Sequence, residues 1–263
     1  MTQTEPRPAR APDPDHRVDT ERSPRWVRVK FGGETVADSK NALLLMETGS
    51  LPVYYFPPED VRMDVMESTD RHTTCPYKGL ASYWTIRVGD RVAENAVWGY
   101  LDPLPAHPEI KGYVAFYWNR VDAWYEEEEQ IYAHPRDPYH RVDALPSTRH
   151  VRIVLGGETI AETDHPHLLF ETSLPTRYYL PREDVRMDLL EPTPDKHTRC
   201  PYKGEASYWS ARIGDQVYPD IVWSYPDPIP ECPKIRGLLA FFNEKVDTYV
   251  DGELQPRPKT KWS

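Results

Sequence analysis

Cys75-Pro76-Tyr77-Lys78-Gly79-Leu80-Ala81-Ser82-Tyr83-Trp84 returns 125 residues later as Cys200-Pro201-Tyr202-Lys203-Gly204-Glu205-Ala206-Ser207-Tyr208-Trp209, changed only at Leu80/Glu205. A His precedes each copy by three residues, His72 and His197. Further out, Gly32-Gly33-Glu34-Thr35 matches Gly156-Gly157-Glu158-Thr159, and Tyr54-Tyr55 with Glu59-Asp60-Val61-Arg62-Met63-Asp64 matches Tyr178-Tyr179 with Glu183-Asp184-Val185-Arg186-Met187-Asp188. These flanking pairs lie 124 apart, so one residue was gained or lost in a loop between Glu67/Glu191 and the following His. Roughly half of the aligned positions are identical, which means duplication of a whole module. Whatever both copies kept is what their fold or chemistry could not easily lose.

The chain is long enough for two domains of roughly 110 to 125 residues, each with its own core. The sequence reads as a tail over 1–11, a first repeat over 12–126, a linker over 127–136, a second repeat over 137–251 and a tail over 252–263. His16-Arg17-Val18-Asp19 matches His140-Arg141-Val142-Asp143 and is read as the first structured piece of each repeat. The acidic run Glu126 to Glu129 has no counterpart in the second copy, where Asp251-Gly252-Glu253 follows the last shared strand, and reads as a solvated surface element. A two-module chain can make within itself the contact that a single-module relative would make by dimerising, so a pseudo-twofold module pair is expected.

The 28 prolines argue for short strands and turns and against long helices. Val27-Arg28-Val29-Lys30-Phe31 and Val151-Arg152-Ile153-Val154-Leu155 each run into Gly-Gly and then Thr-Val-Ala or Thr-Ile-Ala, a hairpin pattern. Tyr54 to Phe56, Met63 to Met66, Ala81 to Val88, Val97 to Tyr100 and Gly112 to Trp118 complete roughly eight strands per module. Leu43 to Thr48 follows a capping Asp38 or Ser39 and fits one short helix per module as well as a buried strand. The expected class is all-β.

The formal net charge of −10 opposes attraction to nucleic acid or an anionic membrane. No apolar stretch approaches a membrane span and none opens the chain as a signal peptide would, so the expected compartment is the cytoplasm. Cys75 and Cys200 occupy equivalent places in different modules and Cys232 is unrepeated, which suggests no disulfide framework.

The candidate ligand-binding residues are the polar and aromatic side chains kept in both copies: Glu47, Tyr55, His72, Cys75, Lys78, Tyr83 and Trp98, and their equivalents Glu171, Tyr179, His197, Cys200, Lys203, Tyr208 and Trp223. A His near a thiol can supply thiolate near neutral pH. A single intracellular Cys beside Pro and Gly is more ordinarily a packed side chain in a turn. Lys78 and Lys203, among aromatic neighbours, fit an anion-binding or cation-π element, or a snorkelling side chain over an apolar strand. Because strands alternate, Tyr83 and Trp84 point to opposite faces, as do Tyr208 and Trp209.

The chain resembles the family known as domain of unknown function 427, which also carries a nucleotidyltransferase label. The resemblance rests on the Gly-Gly hairpin after Arg-Val, Glu-Thr before Tyr-Tyr-x-Pro, the following Asp-Val, Cys-x-Tyr-Lys-Gly-x-Ala-x-Tyr-Trp, Trp-x-Tyr-x-x-Pro and Gly-x-x-Ala-Phe. It covers nearly the whole chain outside the extreme tails. It implies an all-β fold of two sheets similar to the β-tent folds, some of which bind zinc or a small ligand between the sheets. A zinc site of that kind needs four N or S ligands in paired knuckles, and each module repeats one Cys, so no metal and no cofactor is expected. Nucleotidyl transfer needs clustered carboxylates for Mg²⁺ and a phosphate-binding loop, neither of which the sequence carries.

Three readings follow. The first is an unidentified small molecule bound between the sheets of each module, bounded by Tyr55, Lys78, Tyr83 and Trp98 or their equivalents. The second is an enzyme using Cys, or a carboxylate with Lys, with strongly perturbed ionisation at the site, or the nucleotidyltransferase that the family label suggests. The third is a structural or interaction module in which Lys78 and Glu47 form an ion pair that fixes the fold.

Overall fold

The computed structural model describes residues 13–263, so the tail expected over 1–11 lies outside the described residues. The chain forms two compact units, one ending at Asp137 and the other beginning at Pro138. Each is all-β, and the helical turns are short 3₁₀ pieces such as Pro58–Asp60 and Met63–Val65.

In the first unit the strands are β1 (Val18–Arg22), β2 (Val27–Phe31), β3 (Glu34–Ser39), β4 (Leu43–Glu47), β5 (Val53–Tyr55), β6 (Met66–Cys75), β7 (Gly79–Val88), β8 (Arg91–Gly99), β9 (Val114–Phe116), β10 (Ala123–Glu126) and β11 (Glu129–Ile131). They make a small antiparallel sheet in the order β11-β10-β2-β3 and two further pieces, β1-β4-β5 and β6-β7-β8-β9. A bridge between Phe56 and Val114 joins those pieces edge to edge. The second unit repeats the plan with the join completed. Tyr179 pairs Ala240 and Leu180 pairs Leu239, giving one seven-stranded sheet and a four-stranded one.

Alternation decides the layering. Val27, Val29 and Phe31 of β2 pack with Leu44, Tyr54, Phe56, Trp84, Val97 and Phe116 of the larger sheet, forming the apolar core between the sheets. The intervening residues of the larger sheet, Leu45, Tyr55, Ala81, Tyr83 and Ala115, form a second cluster with Tyr100 and Ile110 on the face turned away from the small sheet. Tyr83 and Trp84 do divide between the two faces.

Burial of both faces explains where the sequence misleads. Leu43-Leu44-Leu45, which fits a short helix, is strand β4, because a doubly covered strand reads as a continuous apolar run. Met63–Val65, read as strand, is a 3₁₀ turn, and the strand begins at Met66. Among the described residues each unit forms eleven strands where about eight are expected. The additional ones include β1, β6 and β11, which are sheet edges of polar sequence and carry no full apolar alternation.

The acidic run also departs from its reading as a solvated element. Glu126 ends β10 and is buried, while Glu129 opens β11, within the segment expected as linker. The second unit has the matching hairpin: Asp247–Val250 pairs with Glu253–Leu254, and Asp251 shares the positive φ of Glu127.

The turn inside the repeated motif requires its glycine. Gly79 and Gly204 have φ of +104° and +110°, and a Cβ there would lie 3.3 Å from Leu104 N and 3.2 Å from Asp227 O respectively. Gly79→Ala and Gly204→Ala should each cost about 1–3 kcal/mol, read from urea denaturation, since both the dihedral and the backbone contact oppose the methyl.

Candidate functional site

Glu47 closes β4 on the same face as Leu45, and Lys78 stands in the turn between β6 and β7. The Lys78 ammonium donates to Glu47 Oε2. His16, just before β1, places Nε2 3.0 Å from the other oxygen, Oε1, and its ring stacks on Tyr77 at 3.6 Å between centroids. The second unit builds the same group: Lys203 Nζ donates to Glu171 Oε2 at 2.5 Å, His140 Nε2 lies 3.0 Å from Oε1, and His140 stacks on Tyr202 at 4.1 Å. The Lys78 side chain is only 6% exposed, so its charge is supported by the carboxylate more than by water.

Burial would push the Glu47 carboxyl up, but the hydrogen bonds from Lys78 and His16 win and hold it below the usual glutamate range. Tyr55 and Tyr100 go the other way. Burial, with Cys75 and Glu47 nearby, raises both phenols well above the ordinary tyrosine value, so they stay protonated and serve as donors or acceptors, not as bases.

Next to this group runs an aromatic row. Register places Tyr83 opposite Trp98 and Trp98 opposite Ala115. The small Ala115 leaves room for the indole of Trp98 to reach across and donate to the Tyr55 hydroxyl at 3.2 Å, as Trp223 donates to Tyr179 at 3.1 Å over Ala240. Tyr83 shares a hydrogen bond with Thr73 at 2.8 Å, and Tyr208 with Thr198 at 2.7 Å. Tyr117 packs on Trp98 at 4.5 Å, a place taken by Phe242 beside Trp223 at 4.6 Å.

Glu47, Tyr55, Lys78, Tyr83, Trp98 and Cys75 thus share one face, but it is the face turned away from the small sheet, not the space between the sheets where the pocket is expected. That inter-sheet space is filled by the apolar core. His72 and His197 stand apart from their cysteines, because residues three apart on a strand point to opposite faces. Both are exposed; His72 Nδ1 lies 3.3 Å from Ala81 O, and His197 Nε2 lies 2.9 Å from Pro194 O. Cys75 and Cys200 are half-buried beside the tyrosines. The site also includes residues outside the candidate set: His16/His140, Tyr77/Tyr202 and Tyr100/Tyr225. All are repeated in the sequence, and the repeated His-Arg-Val-Asp held the signal for the histidines.

The second unit carries an addition of its own. Arg177 donates two hydrogen bonds to Glu244 at 2.7 Å each and lies between the Trp223 and Trp262 rings, 5.6 and 5.5 Å from their centroids. Thr260 also donates to Glu244 at 2.6 Å, so the segment expected as a tail is packed against this face. Among the described residues no group of three or more His, Cys, Asp or Glu is placed to hold a metal ion, and no helix is long and apolar enough to cross a membrane.

The family described as domain of unknown function (DUF427) matches the chain twice, at residues 19–127 and 143–252. No curated protein matches it.

Lys78→Met leaves the Glu47 charge buried with His16 as its remaining partner and should cost about 3 kcal/mol or more, with most of that recovered in Glu47→Met/Lys78→Met, measured by a double-mutant cycle in urea. Glu244 is pushed up by burial but held down to about 2 by hydrogen bonds from Arg177 and Thr260. Its folded value lies below its unfolded one, so its contribution is complete above the ordinary glutamate pKa of about 4.3 and is lost as the pH falls toward 2. The urea midpoint of the second unit should fall over that window, and Glu244→Gln should flatten the fall.

Proposed function

The chain belongs to the DUF427 family as a two-copy member, and we propose that each copy binds a small molecule on the outer face of its larger sheet. The Lys-Glu-His group sits at one end of the site and the Tyr-Trp row forms its wall. The observation that supports this most is the duplication of the group. Lys78, Glu47 and His16 recur with the same pairing and the same stacked tyrosine as Lys203, Glu171 and His140, while much of the surrounding sequence has changed. Stability alone does not favour such an arrangement, since a buried ion pair is often no better than apolar residues of similar volume. An aromatic wall with a few convergent polar groups is how small-molecule sites are built.

The structural reading draws on the same ion pair, which it requires. The two readings part at Trp98, which is half-buried and whose indole is not needed to satisfy Lys78 or Glu47. A thermal-shift screen against metabolites and nucleotides should find a compound that raises the melting temperature and quenches tryptophan fluorescence. Trp98→Phe should weaken binding to the first copy at least tenfold; its own cost, the hydrogen bond lost to the buried Tyr55 hydroxyl, is about 1–3 kcal/mol and is read separately from the unliganded melting temperature. A screen without a single stabilising compound, or binding indifferent to the Trp98 indole, would count for the structural reading.

A further inference from the structure

The two modules differ at the far end of the aromatic row. In the first, the Arg71 guanidinium lies over the Tyr83 ring, 4.8 Å from its centroid, at a shift of the β6–β7 ladder between Ser68 and His72 that the second module shares between Thr193 and His197. Arg120 lies over the neighbouring Tyr117 ring at 5.1 Å and donates only to the backbone carbonyls of Glu94 and Asn95. Burial first, and the neighbouring Tyr83 phenol with it, raise the Tyr117 phenol above the ordinary tyrosine value, while Arg71 and Arg120 pull it down. Among the described residues neither Arg71 nor Arg120 has a carboxylate partner, in a chain of net charge −10 where most other arginines do. Two unneutralised guanidinium forks beside hydroxyl donors make an arrangement suited to a tetrahedral dianion.

The second module has changed each part of it. Lys196 stands at the place of Arg71, over Tyr208 at 4.9 Å, but is neutralised by Asp220 at 2.7 Å. Asp220 occupies the place of Asn95, with the same φ of 50°. Phe242 replaces Tyr117 and removes the hydroxyl, and Lys245 replaces Arg120. We infer that the first module, and not the second, binds a phosphate group of a small ligand between Arg71 and Arg120, with the Tyr83 and Tyr117 hydroxyls as further donors. This rests on the outer-face reading above and deepens it for the first copy, whose ligand carries a phosphate that the second copy's site does not take.

Isothermal titration of the full chain with inorganic phosphate, at ionic strength fixed with potassium chloride, should show one saturable site. Arg71→Met and Arg120→Met should each lower the affinity about tenfold, in keeping with the loss of a charge-assisted hydrogen bond. Lys196→Met with Lys245→Met should leave it unchanged. Both arginines are exposed, and a circular-dichroism melt checks that the variants fold. Asn95→Asp gives a second route: it neutralises Arg71 as Asp220 neutralises Lys196, keeps every cation, sits at a dihedral that Asp tolerates, and should abolish binding. Two equivalent sites, equal losses from the second-module lysines, or no saturable binding would each overturn the inference. An uncharged ligand that depends on Trp98 while phosphate does not bind would overturn it too, and would leave the outer-face reading standing.

Discussion

Side chains on a strand alternate between two faces, and in each module the central strands of the larger sheet must cover both. One face packs against the small sheet and takes the aliphatic and aromatic core. The other has no second sheet over it, and in the first module its cover comes from β1 at one edge, the Pro108–Ile110 turn and the rings of Tyr55, Tyr83 and Tyr100. Every functional candidate depends on this division. Glu47 is on the outer face because Leu44 is on the inner one, and Tyr55 because Tyr54 and Phe56 are inside.

That constraint also sets how much the sequence could reveal. Duplication, all-β class and the Gly-Gly hairpin were legible because they depend on identity and on local backbone demands. The opposition of Tyr83 and Trp84 was legible because it needs only the strand period. The face that carries the candidate site was not, since period two says that neighbours point apart without saying which side meets the second sheet. Nor could polar edge strands such as Met66–Cys75 be seen, because an edge exposed to water needs no apolar alternation. Glu126 is the clearest case. Within a run of four acidic residues it reads as solvated, yet it accepts from the Tyr54 hydroxyl at 2.8 Å and from Arg25 at 2.6 Å, partners far away in sequence.

The histidine next to the repeated cysteine and the histidine that meets the repeated lysine show how spacing can mislead. His72 is three residues from Cys75 and points away from it, whereas His16 is 31 residues from Glu47 and touches it. Antiparallel pairing brings them together: β1 runs against β4, with Val18 opposite Glu47, so His16, two residues before β1, arrives beside the last residue of β4. Because the same pairing sets Val142 opposite Glu171, the second module makes the same contact with His140.

Duplication turns one chain into a comparison of two solutions to one fold. At the Lys-Glu-His end the modules agree to within 0.5 Å in the His–Tyr stacking distance and share every partner, so exchange of any one residue would strand another. At the far end they have separated, the first keeping uncompensated guanidinium groups and the second closing its charges internally through Lys196–Asp220 and Arg177–Glu244. An internal ion pair satisfies a module by itself. An unpaired cation over an aromatic ring, in a chain with an excess of acid, is stable only because it is exposed to water, and exposure is what leaves it available to an anion from outside. The modules therefore share a fold and the Lys-Glu-His group while differing in the charge they present at the far end.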